Sequence, residues 1–388
     1  MFRNDQFKDR YYGDLLQKRF KKEIFLLPIF FNNSLNQKNL KFLEKKNQFI
    51  LYSDFFNLKD YLEIFSSIIN LNFCRVNKIF FDRHDVSEIV NHEMKRTRFN
   101  HSILISILNF HLFKNLKNKN AKINSGINWF ENQVVDKSFN FCFKKFFPKS
   151  LLKGYMGINA DLSVNHFLVP SKLEKKFNLI PSIMFLINNN NKKFFKKIYS
   201  PKNIKIAPAY RNQHIYKYLN SKPLKFKKFN VLVIFTASHE DSIQIINIIN
   251  NLPIHLLNKI SFTLRFHNFS KVKSLKNLIN NSVNYKLDNF QPIYKLLINS
   301  RCVLCRPGTT YYEAKIFQTP LILTRRIYSI LPINKKNLVN DGFCSNDKDI
   351  EKRLEYLSNI NFTKKTKKKL AKIFFNFDKP KKTKNFLY

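Results

Sequence analysis

Glycine and tryptophan are scarce in this sequence of 388 residues, which contains 6 glycines and 1 tryptophan. It has no GxGxxG loop, no Walker phosphate-binding loop and no HExxH motif. The sequence therefore lacks the short motifs that would identify a dinucleotide site, an ATP-hydrolysing site or a zinc protease.

Cysteine is also infrequent, with five residues at irregular spacing: Cys74, Cys142, Cys302, Cys305 and Cys344. An odd number without regular spacing argues against a disulfide framework. Cys302 and Cys305 form a CxxC, but they lie in an apolar run that is typical of a buried strand, and no second pair follows. We therefore predict no metal site at these thiols.

No apolar run reaches the ~18 residues of a membrane-spanning helix. Residues 24–31 are apolar, but the run is too short and contains Pro28. Residues 1–10 are polar and lack the core of a signal peptide. These features predict a cytoplasmic protein. Its basic tail, residues 364–384, is either a solvated surface or a peripheral contact with the anionic inner membrane.

Acidic residues are few: 26 Asp and Glu stand against 69 Lys and Arg, which gives a formal net charge of +43. Such a charge is typical of nucleic-acid-binding proteins. However, the abundant residues (42 phenylalanines with many lysines, asparagines and isoleucines) have AT-rich codons. A compositional bias raises the charge of the whole surface without any ligand. Nucleic acid is therefore not expected as a specific partner, although a basic nucleic-acid-binding protein remains an alternative.

The length exceeds the roughly 250–300 residues of a single core, so two domains are expected. The polar stretch at 188–193 (NNNNKK) marks the boundary. We predict an N-terminal α/β domain over 1–190, a linker over 191–225, and a C-terminal α/β domain over 226–388 that ends in a basic helical tail.

The C-terminal half alternates between strand and helix patterns with short connections, which is typical of a doubly wound parallel sheet. The predicted strands are 231–236, 262–266, 285–287, 302–305 and 320–324, and the predicted helices are 241–252, 271–279, 292–299 and 310–317.

The N-terminal half is also predicted to be α/β. Its predicted strands are 49–52 and 78–81, and its predicted helices are 58–69, 88–116 and 134–146. The fold class expected for the chain is therefore α/β, with two Rossmann-like doubly wound domains.

A turn with Gly308 links the predicted strand 302–305 to the helix that follows. Ligands of open α/β sheets bind at the carboxyl ends of strands, and the free N–H groups of a helix N-terminus attract phosphate. Alternatively, the turn is only a capped helix start, with Thr309 or Thr310 as the N-cap and Glu313 completing a capping box.

Residues 306–323, RPGTTYYEAKIFQTPLIL, resemble a motif of glycosyltransferase-B enzymes, although Gln318 and Thr319 replace the usual glycine. The resemblance implies that the turn, with Arg306, Gly308, Thr309 and Thr310, lies against the donor diphosphate. It also implies that Glu313 touches the nucleotide sugar.

The strand end at 262–268 resembles the Lys-Pro-His-Pro segment of bacterial capsule and sialic-acid transferases, with Asn268 in place of the second proline. The resemblance implies a catalytic position for His267 near the donor phosphate and a basic role for Arg265. The alternative for His267 is a surface histidine at a strand end.

The segment 128–133 is similar to the Phe-Glu-Asn segment of bacterial surface-carbohydrate biosynthesis proteins, and 208–211 fits the same group. Glu131 is then a candidate general base or acceptor ligand, because glycosyl transfer requires deprotonation of the acceptor hydroxyl. Arg211 is a candidate phosphate ligand. The alternatives are a helix N-terminal acid for Glu131 and a surface arginine for Arg211.

These resemblances together imply a metal-independent glycosyltransferase that moves a sugar from a nucleotide-sugar donor to a surface-polysaccharide or lipid-linked acceptor. A sugar-nucleotide 2-epimerase of the same fold and a noncatalytic protein are the alternatives. No cofactor is expected. No metal site is expected either, because His84 and His92 are about two helical turns apart, too far to share one ion.

Overall fold

The chain divides into two units. The computed structural model describes residues 2–3, 6–7, 11–12, 24–28, 49–71, 73–159, 166–219, 229–267, 270–306, 308–324, 342–360, 368–376 and 386. Of these residues, the first unit contains those up to Gly157, those from His166 to Arg211, and residue 386. The remainder form the second unit. The polypeptide passes between the units more than once, and the passage at Arg211 and Asn212 lies inside the segment predicted to be a linker.

The first unit contains two short hairpins, a parallel sheet and several helices. The strands are β1 (Phe2–Arg3), β2 (Gln6–Phe7), β3 (Phe80–Phe81), β4 (His84–Asp85), β5 (Ser125–Trp129), β6 (Leu151–Met156), β7 (Ile183–Leu186) and β8 (Ile204–Ile206). The helices are α1 (Leu58–Asn70), α2 (Ser87–Thr97), α3 (His101–Asn118), α4 (Val134–Phe146), α5 (Lys172–Lys176) and α6 (Lys192–Phe195).

The four-stranded sheet of the first unit runs in the order β5-β6-β7-β8, and every pair is parallel. Its last strand, β8, lies within the segment that the sequence predicts to be a linker. Phenylalanines of α3 and α4 pack with Leu152 of β6 into one apolar cluster. Phe113 and Phe143 meet edge to face, with ring centroids 5.8 Å apart.

Phe386 belongs to the core of the first unit and is fully buried. Its ring lies 5.2 Å from Tyr155, 5.1 Å from Phe185 and 5.4 Å from Tyr210, measured between centroids. Its carbonyl oxygen accepts a hydrogen bond from Nζ of the buried Lys153 at 3.2 Å. The last described residue of the chain therefore fills the interior beside the first sheet.

The second unit contains one sheet and the helices that connect its strands. The strands are β9 (Phe229–Ile234), β10 (Ile260–Arg265), β11 (Tyr285–Leu287), β12 (Cys302–Cys305), β13 (Leu321–Thr324) and β14 (Phe343–Cys344). The helices are α7 (Gln213–Tyr218), α8 (His239–Asn250), α9 (Ile254–Lys259), α10 (Val272–Lys276), α11 (Ile293–Asn299), α12 (Thr309–Ile316), α13 (Asp347–Asn359) and α14 (Lys368–Phe374).

The six strands of this sheet are all parallel and follow the order β11-β10-β9-β12-β13-β14. Numbered within the unit, this is the 3-2-1-4-5-6 order of a Rossmann fold. Because crossovers between parallel strands are right-handed, the reversal of order at β9 sends the connecting helices to opposite faces. The central strands β9 and β12 are buried on both sides, as continuous apolar runs predict.

The fold-class prediction is confirmed by these two parallel sheets, and two local predictions are wrong. The helix expected over 88–116 is two helices, because the Asn100 side chain accepts a hydrogen bond from Ser102 N at 3.0 Å and starts α3 anew. The strand expected over 49–52 is a single bridge between Phe49 and Leu26, followed by a 3-10 turn from Tyr52 to Asp54.

Several predicted features fall on residues that are not described. Asn268 and Pro307 lie outside the described residues, as does most of the basic tail. Within the described ranges, no helix combines the length and apolarity that a membrane span needs.

Candidate functional site

The order of the second sheet reverses between β9 and β12, and the carboxyl ends of the central strands are level there. Ile234, at the end of β9, pairs with Arg265 of β10 on one side and with Cys305 of β12 on the other. Ligands of open α/β sheets bind at such a reversal, outside the carboxyl ends of the strands. The segments after β10 and β12 therefore reach the same edge, separated by the loop that follows β9.

The turn after β12 leads directly into α12, whose N-cap is Gly308. The N-cap residue Gly308 has no side chain to cap this helix, so the capping box predicted for Thr310 and Glu313 is wrong. Among the described residues other than its chain neighbours, a Cβ on Gly308 would meet only the carbonyl oxygen of Arg306 within 4 Å, at 3.9 Å. Thr309 and Thr310 follow Gly308 in the first turn of α12.

Arg306 is buried and faces α8. Its Nη2 lies 3.4 Å from Oδ1 of Asp241, and it donates a hydrogen bond to Oε1 of Gln244. A buried guanidinium needs such partners to offset its lost hydration. In this arrangement Arg306 ties the turn after β12 to the helix after β9, on the two sides of the reversal.

Arg265 is the last residue of β10, and His267 lies two residues later. Nη1 of Arg265 donates to the carbonyl oxygens of Asp288 at 3.1 Å and Gln291 at 3.0 Å, beyond the end of β11. Between them, Phe266 stacks on Phe235 at 4.3 Å with an angle of 5° between the rings. His267 is half-buried directly after this stacked pair.

Glu313 lies one turn into α12 and is only 7% exposed. Its Oε1 accepts a hydrogen bond from Nδ2 of Asn212 at 3.2 Å, and Asn212 is itself buried. A carboxylate can be buried when hydrogen bonds replace part of its hydration. This hydrogen bond helps to fix the position of the Glu313 carboxylate.

Three further hydroxyl residues lie at the same edge and were not among the predicted site residues. Ser238 lies in the loop after β9 and caps α8 by accepting a hydrogen bond from Asp241 N at 3.1 Å. Thr236 precedes it in that loop. Thr324 ends β13 and is buried, and its Oγ1 has no hydrogen-bond partner among the described residues. The sequence pattern that could have indicated Thr324 is a hydroxyl residue at the end of an apolar predicted strand.

The two cysteines of the CxxC sequence lie within the sheet. Cys302 and Cys305 are buried in β12, as the sequence predicts. Burial raises the pKa of Cys305 to about 12, so its thiol stays protonated at neutral pH.

Glu131 occupies the loop between β5 and α4 in the first unit. Its Oε1 accepts the indole N–H of Trp129 at 2.5 Å, and its Oε2 accepts from the Gln133 amide at 3.2 Å. The indole passes close to Gly157, where a Cβ would lie 2.2 Å from Trp129 Cζ3. These contacts orient the Glu131 carboxylate.

Asp136, and not Glu131, satisfies backbone donors at the start of α4. Its Oδ2 accepts from Glu131 N at 2.8 Å and from Gln133 N at 3.0 Å. Burial is the main cause that raises the pKa of Asp136 to about 6, although these two hydrogen bonds lower it.

The raised pKa of Asp136 makes stability depend on pH. An unfolded aspartate has a pKa of about 3.9, so between about pH 4 and 6 the unfolded state binds fewer protons than the folded state. Stability therefore falls as pH rises through this window. Relative to Asp136→Asn, the natural protein should lose about 1–3 kcal/mol between pH 4 and 7. Denaturant unfolding of both proteins at stepped pH measures this, and a pH-independent difference would contradict it.

Arg211 is half-buried at the end of the first unit. The preceding residues are held by Tyr155, whose hydroxyl donates to Pro208 O at 2.8 Å and accepts from Tyr210 N at 3.1 Å. Burial raises the pKa of Tyr155 far above its usual value, so this hydroxyl keeps its proton.

The structure thus brings most of the predicted site residues to one sheet edge. Those at the carboxyl edge of the second sheet are Arg265, His267, Arg306, Gly308, Thr309 and Thr310, with Glu313 one turn further along α12. Glu131 and Arg211 belong to the first unit.

No family model matches the chain, and no curated protein sequence matches it significantly. Similar solved structures include Staphylococcus aureus MnaA with UDP, at 11% identity and a TM-score of 0.49, covering 89% of each chain. A UDP-GlcNAc 2-epimerase from Neisseria meningitidis bound to UDP-GlcNAc has 13% identity and a TM-score of 0.40, covering 82% of this chain and 88% of that one. The calicheamicin glycosyltransferase CalG4 has 8% identity and a TM-score of 0.40, covering 74% and 75%. Similarity at this level establishes no shared activity.

Proposed function

We propose that this protein is a glycosyltransferase whose second unit binds a nucleotide-sugar donor at the carboxyl edge of its sheet. The observation that carries the proposal is the N-terminus of α12. It follows a central strand beside the reversal of strand order, its N-cap glycine has no capping side chain, and the described residues leave space for a Cβ at Gly308.

The donor diphosphate would lie against the first turn of α12. Backbone N–H groups of Thr309 and Thr310, with the positive end of the helix dipole, attract an anion there. Arg265 at the end of β10 would add positive charge to the same edge, and His267 would lie near the donor phosphate. Arg306 would hold the turn in place through Asp241 and Gln244. Charge preorganised in this way stabilises the leaving diphosphate.

Two carboxylates have separate roles in this proposal. Glu313, positioned by Asn212, would accept hydrogen bonds from hydroxyl groups of the sugar or ribose. Glu131, oriented by Trp129 and Gln133, would be the general base that deprotonates the acceptor hydroxyl. Arg211 would contribute a phosphate contact.

The acceptor in this proposal is a carbohydrate or lipid-linked carbohydrate of surface-polysaccharide assembly. Transfer would take place in the cytoplasm, and peripheral contact with the anionic inner membrane would bring the enzyme to a lipid-linked acceptor. The high positive charge is compatible with such a contact.

A thermal-shift screen against UDP, CMP, GDP and their common sugar conjugates tests the donor site. A ligand present at about 100 times its dissociation constant stabilises the folded state by ~2.7 kcal/mol, which gives a measurable rise in melting temperature. Glu313→Ala should abolish this rise, and Thr310→Ala, which removes the hydroxyl group but keeps the backbone N–H, should reduce it. No shift with any nucleotide would contradict the proposal.

The same preparation separates the rival activities. A 2-epimerase would convert the bound nucleotide sugar into its epimer with no acceptor present, which NMR spectroscopy detects. A nucleic-acid-binding protein would bind DNA or RNA with an affinity that falls steeply as salt rises. Tight nucleic-acid binding at moderate salt, without any nucleotide response, would favour that alternative.

A further inference from the structure

Three ionisable side chains of the first unit converge between helices α1 and α3, apart from every residue of the proposed nucleotide site. Asp60 lies in the first turn of α1, Glu63 follows one turn later, and His111 projects from α3. Asp60 and His111 are each 4% exposed, and Glu63 is half-buried. One ligand atom from each residue lies within 4.8 Å of the other two.

The distances in this cluster are too long for hydrogen bonds. Nδ1 of His111 is 3.7 Å from Oδ1 of Asp60 and 3.6 Å from Oε2 of Glu63. Hydrogen bonds of this type measure about 2.7–3.2 Å. Nδ1 is buried and has no hydrogen-bond partner among the described residues. Burying an imidazole nitrogen without such a partner costs free energy. The arrangement therefore indicates that Nδ1 binds a ligand other than a hydrogen-bonding protein group.

The spacing suits an ion between the three atoms. Zinc binds histidine nitrogen and carboxylate oxygen at about 2.0–2.2 Å in tetrahedral geometry, which separates neighbouring ligand atoms by about 3.4 Å. One nitrogen and two carboxylate oxygens also form a ligand set that divalent transition metals accept.

The surrounding residues orient the Asp60 carboxylate. Its Oδ2 accepts hydrogen bonds from Asn57 N at 2.9 Å and from Asn115 Nδ2 at 2.8 Å. Its Oδ1 is the atom directed at His111. Outer hydrogen bonds that fix a ligating carboxylate in this way are a regular feature of metal sites.

We propose that Asp60, Glu63 and His111 bind a divalent transition-metal ion, with zinc as the best match to their ligand atoms. The ion links α1 to α3 and stabilises the first unit. Nζ of Lys114 lies 3.0 Å from Oε2 of Glu63, so this ammonium group competes with the metal for the same oxygen. The proposal is independent of the nucleotide site.

Cobalt titration of the metal-stripped, untagged full chain tests this proposal, because Co²⁺ replaces zinc and is visible by absorption. We expect one Co²⁺ per chain, displaced by Zn²⁺. His111→Phe fits the neighbouring rings of Phe56 and Phe110. The substitution should weaken cobalt binding on the order of 100-fold. Loss of a residue that only hydrogen-bonds to a metal ligand costs about 10–100-fold in affinity, and loss of a ligand should cost at least as much. Glu63→Gln, at a half-buried position, should weaken binding in a chain that folds normally, and Lys114→Met should tighten it.

His92→Phe is the matched control, because His92 is exposed and its Nδ1 lies 3.9 Å from Oε1 of Glu93. This variant should bind cobalt as the natural protein does. Unchanged binding in both His111→Phe and Glu63→Gln, or no binding by the natural protein, would overturn the proposal. A thiolate-to-cobalt absorption band would place the ion on a cysteine such as the exposed Cys74 and would also overturn it.

Discussion

Gly308→Val is expected to abolish nucleotide binding while leaving the melting temperature of the ligand-free protein nearly unchanged. The backbone of Gly308 is extended, with φ at −177°, a conformation that any residue adopts. Among the described residues other than its chain neighbours, a Cβ there meets only one atom, at 3.9 Å. Valine is a poorer N-cap residue than glycine, so the folding free energy should fall by no more than about 1 kcal/mol.

The loss of binding follows from the position of the new side chain. The isopropyl group would occupy the space beside the N–H groups of Thr309 and Thr310, where we propose that the diphosphate lies. Affinity should fall by about 100-fold or more, equivalent to ~2.7 kcal/mol. Calorimetric titration with the nucleotide selected by the thermal-shift screen measures this loss. Gly308→Ala adds one methyl group, so its nucleotide affinity should lie between those of the natural protein and Gly308→Val. Binding of equal strength in Gly308→Val and the natural protein would refute this location of the diphosphate.

Phe386→Ala is expected to destabilise the first unit by about 3–5 kcal/mol, the range measured for phenylalanine-to-alanine changes in protein cores. Phe386 is fully buried and contacts three aromatic rings. Its removal leaves a cavity and disturbs the hydrogen bond from Lys153. Burial lowers the pKa of Lys153, and any loss of this bond adds to the cost.

Denaturant unfolding followed by circular dichroism measures the loss of stability. The transitions of the two units are analysed separately, because multidomain proteins often depart from two-state behaviour. Phe73→Ala is the control. Phe73 is 77% exposed, so its replacement should change stability by no more than about 0.5 kcal/mol. Equal stability of the two variants would show that Phe386 does not carry the packing described.

The fold of the second unit was predictable because its central strands are covered on both faces. Such strands are short continuous apolar runs, and β12 was predicted with the bounds observed. In the first unit, β6 includes Lys153 and Gly154, and β8 has three residues centred on Lys205. These residues interrupt the apolar pattern, so β6 and β8 were missed.

The site was predictable only where its residues are adjacent in sequence. The turn at Gly308 is local and follows from a strand, a glycine and a helix in succession. The contacts of Arg306 with Gln244 and of Glu313 with Asn212 join residues 62 and 101 positions apart. No local pattern indicates such partners. The cluster of Asp60, Glu63 and His111 was missed for the same reason, because it forms only when α1 packs against α3.

The central claim, that a nucleotide diphosphate binds at the N-terminus of α12, is tested most directly by a crystal structure of the protein with the nucleotide that gives the largest thermal shift. The account predicts phosphate oxygens within about 3 Å of the backbone nitrogens of Thr309 and Thr310. Nucleotide bound elsewhere, with this helix N-terminus open to solvent, would contradict it.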